Sequence, residues 1–395
     1  MMASLALFLA LESVARIAAT ITNDLDLLPT PDEPRWFVYS PTLSWERRAG
    51  YSGQAGWYER AFDEDGYVTV DSDDILDRSK KRIAFLGDSN TYGHTVTASA
   101  TFSETIERLH PGVYGINLGV SGYSSYQGRV MLDKYLPVLE PDILVVSFNY
   151  NDRRYVLPHS AADSAEEFQR VYATRATDRL RLVKSSYLLR ATRSVMRRIG
   201  VLPAAFWPST PVNVETLPPR VDEDAYRSNL NWFAEQAKRL GIPVVFILLR
   251  DNPLRSEDLR LGIERMEDSR EEAIAYLRAA VSYRNEFSDL GRIYLSRLYR
   301  LYGDAERAER EAINRTPWWS LHGGAPVRLD SAYNDIMREV AMEHGAELVD
   351  AAAALHFSDY DDFCHFNENG HRKIAELLAE RLSRIDPGLR ARATQ

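Results

Sequence analysis

The chain has 395 residues, 45% hydrophobic and 27% charged, enough for a large core and more than one structural unit. A formal net charge of -9 argues against a broad nucleic-acid-binding surface. The single cysteine, Cys364, excludes an internal disulfide and any cysteine-rich metal site.

The first 20 residues form an apolar segment. Residues 1–11 are almost wholly apolar, then Glu12 and Arg16 interrupt. That run is too short to span a bilayer, which needs about 20 apolar residues. Three readings are open: a weak signal peptide, the tail of a membrane anchor that starts upstream, or an apolar helix packed on the domain. Residues 21–80 are rich in Pro, Asp, Gly and aromatics (Trp36, Tyr39, Trp45, Tyr51, Trp57, Tyr58, Tyr67). They read as an irregular arm that wraps the domain, its aromatics anchoring it rather than lining a sugar site.

The main domain is expected over 81–388, followed by a tail over 389–395. Apolar runs predict strands at 82–86, 113–118, 142–148, 242–249 and 346–350. Amphipathic stretches predict helices at 101–110, 124–139, 222–240 and 327–345, and a last one from Asn369 to about Ser383. Alternating strands and helices argue for an α/β protein: a three-layer α/β/α stack on a parallel sheet of about five strands. Two helical insertions interrupt it. The first, about 153–219, is basic, with Arg175, Arg179, Arg181, Lys184, Arg190, Arg193, Arg197 and Arg198 interleaved with Leu180, Val183, Tyr187 and Val195. It reads as a cap helix with solvated arginines, the alternative being a helix lying on an anionic membrane. The second, about 251–325, looks in its middle like one shortened tetratricopeptide-type hairpin, a lid or docking surface rather than an array.

Chemistry is concentrated in four segments. The run Arg82-Ile83-Ala84-Phe85-Leu86 ends in the tight turn Gly87-Asp88-Ser89. This turn lifts the Ser89 hydroxyl to the carboxyl end of a buried strand, where open α/β sheets place their sites. A serine there needs a base, an orienter and oxyanion donors. Near the other end, Asp362 and His365 are three apart, so one turn brings carboxylate and imidazole together. Asp361 and Asp359 compete with Asp362, and His371 competes with His365, but only Asp362 keeps the three-residue spacing. His371 follows Gly370 at a helix start, which suggests structural capping. Cys364 is adjacent to His365, and adjacent side chains usually point apart. The oxyanion donors are sought in Asn117-Leu118-Gly119-Val120-Ser121-Gly122-Tyr123 and Asn149-Tyr150-Asn151-Asp152, each after a predicted strand. Asp88 and Asp152 read as loop supports that accept backbone N–H bonds. His322, in Trp318-Trp319-Ser320-Leu321-His322-Gly323-Gly324, belongs either to a substrate loop or to a turn. No histidine pair shows metal-ligand spacing with acidic partners, so no metal and no organic cofactor is expected.

Four such segments in this order resemble the SGNH (GDSL-type) hydrolase superfamily. Its first block matches Gly87-Asp88-Ser89, its second-block glycine Gly122, its third block Asn149-Tyr150-Asn151-Asp152, and its last block Asp362 with His365. The resemblance implies Ser89 as nucleophile, and the Ser89 N–H, Gly122 N–H and Asn151 amide as the oxyanion hole. It also implies a flavodoxin-like sheet. Asn90 stands where the family name has leucine, and Asn149 where the third block has glycine. The implied activity is cleavage of acyl esters, short-chain O-acetyl groups on a carbohydrate foremost. The alternatives are an O-acyltransferase acting on an envelope or secreted glycan, and a silent binding module. The resemblance favours the truncated-anchor reading of residues 1–20, hence membrane association through the N-terminus and a cell-envelope or secreted location.

Overall fold

The computed structural model describes residues 2–22, 36–55, 58–61, 79–156, 161–178, 186–198, 201, 218–250, 257–282, 286–313, 332–362 and 364–389. Each of the five apolar runs becomes a strand: β1 (Lys81–Gly87), β2 (Val113–Asn117), β3 (Ile143–Ser147), β4 (Val244–Leu248) and β5 (Glu347–Asp350). All pair in parallel, in the order β2-β1-β3-β4-β5. Side chains alternate across the pleat, so each strand feeds two cores. Ala84, Leu86, Leu144, Val146, Phe246 and Leu248 face one layer of helices, and Ile83, Phe85, Ile143, Val145, Val245 and Ile247 face the other.

The first layer holds α2 (Ser125–Leu139), α3 (Glu223–Leu240) and α4 (Ala332–His344). The second holds α1 (Phe102–Leu109) and α5 (Glu368–Ile385). The sheet is thus the central layer of an α/β/α stack. Short polar side chains start most helices: Thr101 Oγ1 accepts the Glu104 N–H, Ser124 and Gln127 form a capping box, and Asp222 and Asn367 cap α3 and α5. Helix α4 begins within the predicted 327–345, whose residues 327–331 lie outside those described.

The arm is not irregular throughout. Phe37–Ser40 pairs with Ser44–Arg47, and Ser52–Ala55 with Tyr58–Ala61, as two antiparallel hairpins. The dense aromatic content masks the period-2 alternation in these short strands. The first hairpin is bolted to the main domain: Gln127 Nε2 donates to the Leu43 carbonyl (2.6 Å), and Arg47 Nη1 to the Asn117 carbonyl (3.1 Å). Trp57 and Tyr67 lie outside the described residues.

The N-terminal segment is a helix, Met2–Thr22. It docks on the insertion helix Tyr187–Arg198 through Glu12, whose carboxylate accepts Ser186 Oγ (2.7 Å) and the N–H groups of Tyr187 (2.7 Å) and Leu188 (2.9 Å). No described helix is long and apolar enough to cross a membrane. The first insertion also contributes helix Ala165–Asp178; Arg179, Leu180, Arg181, Val183 and Lys184 lie outside the described residues.

The second insertion carries two consecutive helices, Glu286–Leu301 and Ala305–Ile313, where the sequence predicts a hairpin, and two more helices before them. Four helices, Glu257–Glu264, Arg270–Ser282, Glu286–Leu301 and Ala305–Ile313, share one small core built on Leu259, Ala273, Leu277, Leu295, Leu298 and Tyr299. Two glycines permit it. A Cβ on Gly262 would meet Leu277 Cγ at 2.7 Å, and one on Gly291 would meet Val281 Cγ2 at 2.9 Å. Such close helix contacts carry no hydrophobic period, so the sequence pattern does not announce them. His322 and its neighbours lie outside the described residues.

Candidate active site

β1 lies between β2 and β3, so successive connections leave it on opposite sides and open a crevice beyond its carboxyl end. Three of the four segments sit there. Gly87 ends β1 with no space for a side chain, because a Cβ would fall 1.9 Å from Thr91 Oγ1 and 2.5 Å from Ser147 Oγ. The chain can then turn at once into the single helical turn Ser89–Tyr92, closed by Gly93 in the left-handed region (φ 79°). Asp88 caps that turn, accepting the Asn90 N–H at 2.9 Å.

The last segment is shaped by its own carboxylate. Asp362 Oδ1 accepts the N–H groups of Cys364 (2.8 Å) and His365 (2.7 Å), which folds the loop back on itself. Asp362 Oδ2 then meets His365 Nδ1 at 2.6 Å, and His365 Nε2 meets Ser89 Oγ at 2.8 Å. Serine, imidazole and carboxylate form one hydrogen-bonded chain between residues 276 positions apart. Burial by itself would raise the Asp362 carboxyl, but the His365 hydrogen bond and charge and the two loop N–H groups hold it at about 2. It therefore stays ionised beside the imidazole across ordinary pH.

The rival residues are occupied elsewhere. His371 is fully buried in α5, accepts the Phe102 N–H at 3.3 Å and stacks on the Phe102 ring, joining α5 to the start of α1. Asp359 accepts from Lys373 Nζ at 2.7 Å and from the His356 N–H at 2.8 Å.

The two middle segments close the site. Asn151 Nδ2 donates to Asp88 Oδ2 at 3.1 Å, and Asn151 Oδ1 accepts from Arg154 Nη1 at 3.4 Å. Those contacts settle which end of the amide is the donor. Gly122 has φ 84°, a left-handed backbone that favours glycine. A Cβ there would also press on the Trp45 ring at 3.0 Å. The second-block loop is held from three sides. Arg220 Nη1 donates to the Gly122 carbonyl (2.7 Å), Trp45 Nε1 to the Ser121 carbonyl (3.1 Å), and Tyr123 OH to the Trp45 carbonyl (2.5 Å). Arg220 and Trp45 are 98 and 76 or more positions away from the loop they hold, and no sequence pattern pairs them with it. No sequence pattern marks His94, whose ring lies 4.8 Å from that of His365, tilted by 30°.

Two supporting carboxyls are buried. Burial pushes Asp88 up to about 6 against its hydrogen bonds with Asn90 and Asn151 and the His365 charge. Asp152 Oδ1 accepts the Ser125 N–H (2.8 Å) and Oγ (2.5 Å), while Oδ2 has no partner among the described residues. Burial pushes Asp152 up to about 7. A carboxyl that keeps its proton when folded and loses it when unfolded stabilises the fold fully below its unfolded value, about 3.9. That contribution is lost as pH rises through the folded value. Wild-type stability is therefore expected to fall between about pH 4 and pH 7, by at most ~4 kcal/mol from Asp152. Asp152→Asn keeps the Oδ1 acceptor and should flatten that slope. Urea midpoints at a series of pH values check it, and an unchanged slope in the variant refutes it.

Among the described residues, the cluster of His, Cys, Asp and Glu donors close enough to hold a metal ion is Asp362, Cys364 and His365. Residues 85–263 match the GDSL-like Lipase/Acylhydrolase family. No curated protein matches the chain. Among solved structures the chain is similar to an α/β-hydrolase enzyme from the metagenome of Lake Arreo, Spain, at 13% identity and a TM-score of 0.38, covering 79% of this chain and 99% of that one. It is similar to an acetyl xylan esterase at 10% identity and 0.35, covering 76% and 99%. It is also similar to the lipase/acylhydrolase from Enterococcus faecalis at 13% identity and 0.36, covering 80% and 99%.

Proposed function

We propose that this chain, whose residues 85–263 match the GDSL-like Lipase/Acylhydrolase family, hydrolyses acyl esters with Ser89 as nucleophile, His365 as base and Asp362 as its orienter. The observation that carries the reading is the unbroken Ser89–His365–Asp362 chain at 2.8 and 2.6 Å. His365 Nε2 takes the hydroxyl proton as Ser89 Oγ attacks the ester carbonyl. The negative charge that develops on the carbonyl oxygen is met by the Ser89 N–H, the Gly122 N–H and the Asn151 amide. His365 then gives its proton to the departing alcohol. In the second half, water loses a proton to His365, attacks the acyl-serine and releases the acid.

The substrate we favour is a short acyl ester, an O-acetyl group on a carbohydrate. Trp45 supports this alcohol: it is partly exposed and its indole ring borders Gly122, part of the proposed oxyanion site, where a sugar could pack. Hydrolysis of p-nitrophenyl acetate and longer acyl esters tests acyl length, and rates should fall as the chain lengthens. Acetylated oligosaccharides with an added glycan acceptor test the second step. Acyl groups appearing on the acceptor faster than free acid would replace hydrolysis with acyl transfer.

The oxyanion assignment makes its own prediction. Asn151→Ala should lower kcat by about 10²–10³ while KM changes little, because the amide engages charge that exists only in the transition state. A raised KM at unchanged kcat would remove Asn151 from the oxyanion hole.

A further inference from the structure

We propose that Asp362, Cys364 and His365 form an inhibitory site for a zinc-class, thiophilic divalent cation, which switches the esterase off by capturing its base. This rests on the catalytic reading of His365. Cys364 Sγ lies 3.6 Å from His365 Nδ1, and Asp362 Oδ2 lies 2.6 Å from the same nitrogen. The three donor atoms all fall within 4.8 Å of one another. Tetrahedral zinc, with bonds of about 2.0–2.3 Å, spaces its ligand atoms about 3.5 Å apart. Thiol and imidazole already stand at that spacing. Against Nδ1 the carboxylate oxygen has to draw back by about 1 Å, while thiol and carboxylate stand no more than 4.8 Å apart.

Sulfur, nitrogen and oxygen together suit zinc and not magnesium or calcium, which take oxygen. The loop is preorganised, because Asp362 Oδ1 holds the N–H groups of both other ligands. Asp362 and His365 keep 21% and 16% of their side-chain surface exposed, which gives an ion a way in. The Arg154 guanidinium lies within electrostatic reach of Cys364. Its charge repels a dication, so affinity should fall short of that of structural zinc.

The proton bookkeeping explains the inhibition. In the active tautomer Nδ1 carries the ring proton toward Asp362, and the Nε2 lone pair faces Ser89. A cation can bind Nδ1 only once that proton has left it, so the Nδ1 lone pair goes to the metal and the neutral ring carries its one proton on Nε2. The thiol proton leaves to solvent. Nε2–H cannot accept the serine proton, and Asp362 no longer orients the imidazole.

The test is a calorimetric titration of the purified full chain with zinc chloride in a non-chelating buffer. A parallel titration with cobalt(II) is followed by absorbance. We expect one ion per chain and a thiolate-to-cobalt charge-transfer band. p-Nitrophenyl acetate turnover should be lost over the same zinc range, and EDTA should reverse all three. Cys364→Ala should retain the metal-free rate, lack the band and bind zinc more than about tenfold weaker. Cys364→Ser serves if the alanine variant does not fold. Equal zinc binding by wild type and variant, or cobalt binding without the band, overturns the site. Tight zinc binding with the band in a protein that turns over no ester upholds the metal site and overturns the catalytic reading instead.

Discussion

Ser89→Ala is expected to lose on the order of 10⁴-fold or more of esterase turnover while the protein remains folded. Both halves of that expectation come from the geometry. The hydroxyl contacts His365 Nε2, and after its removal the imidazole, 16% exposed, is still held through Nδ1 by Asp362. The Ser89 backbone N–H survives and still belongs to the proposed oxyanion hole. Ester binding and part of the electrostatic stabilisation should persist, so the loss should fall on kcat. His365→Ala should cost a similar factor. The double variant should be little worse than either, because nucleophile and base act as one unit. Steady-state kinetics beside a thermal melt check all of this. A folded Ser89→Ala protein with more than a few per cent of the wild-type rate would mean that another group is the nucleophile.

Gly119→Ala is expected to be the most damaging single methyl group in the site, destabilising by roughly 3 kcal/mol or more and lowering activity with it. The added Cβ would fall 2.2 Å from the Tyr92 backbone nitrogen and 2.6 Å from the Thr91 carbonyl carbon. Backbone cannot rotate aside as a side chain does. Either the Ser89–Tyr92 turn or the loop carrying Gly122 must move, and each holds part of the proposed machinery. Asn117 ties the two together, donating to the Thr91 carbonyl at 2.8 Å and accepting the Gly119 N–H at 2.9 Å, so neither shifts alone. Gly112→Ala is the control. Nothing lies within 4 Å of its Cβ position, and stability should change by no more than about 0.5 kcal/mol. Urea unfolding of both variants compares them. Equal midpoints would mean that the two segments yield more easily than their packing implies.

Much of this site is legible in the chain because its chemistry is local at each end. A serine at the end of a wholly apolar run, and a carboxylate three residues before a histidine, are short patterns that backbone geometry turns into a poised hydroxyl and an oriented imidazole. The sheet is legible for a related reason. Strands buried on both faces read as continuous apolar runs, and capping residues such as Thr101, Ser124, Asp222 and Asn367 mark where the helices between them begin.

The sequence by itself therefore determined the layer architecture, the positions of the five sheet strands and of the helices between them, and which serine, histidine and aspartate to suspect. The tertiary structure decided what depends on contacts between distant segments. It seated His371 against Phe102 and left His365 facing Ser89 across 276 positions. It brought Arg220 and Trp45 onto the Gly122 loop, folded the arm into hairpins, and joined four insertion helices around one small core. The physical reason is the same in each case. Periodicity and capping report a residue's own backbone and which of its faces is apolar, whereas a hydrogen bond or a packed ring between remote segments exists only after the chain has closed on itself.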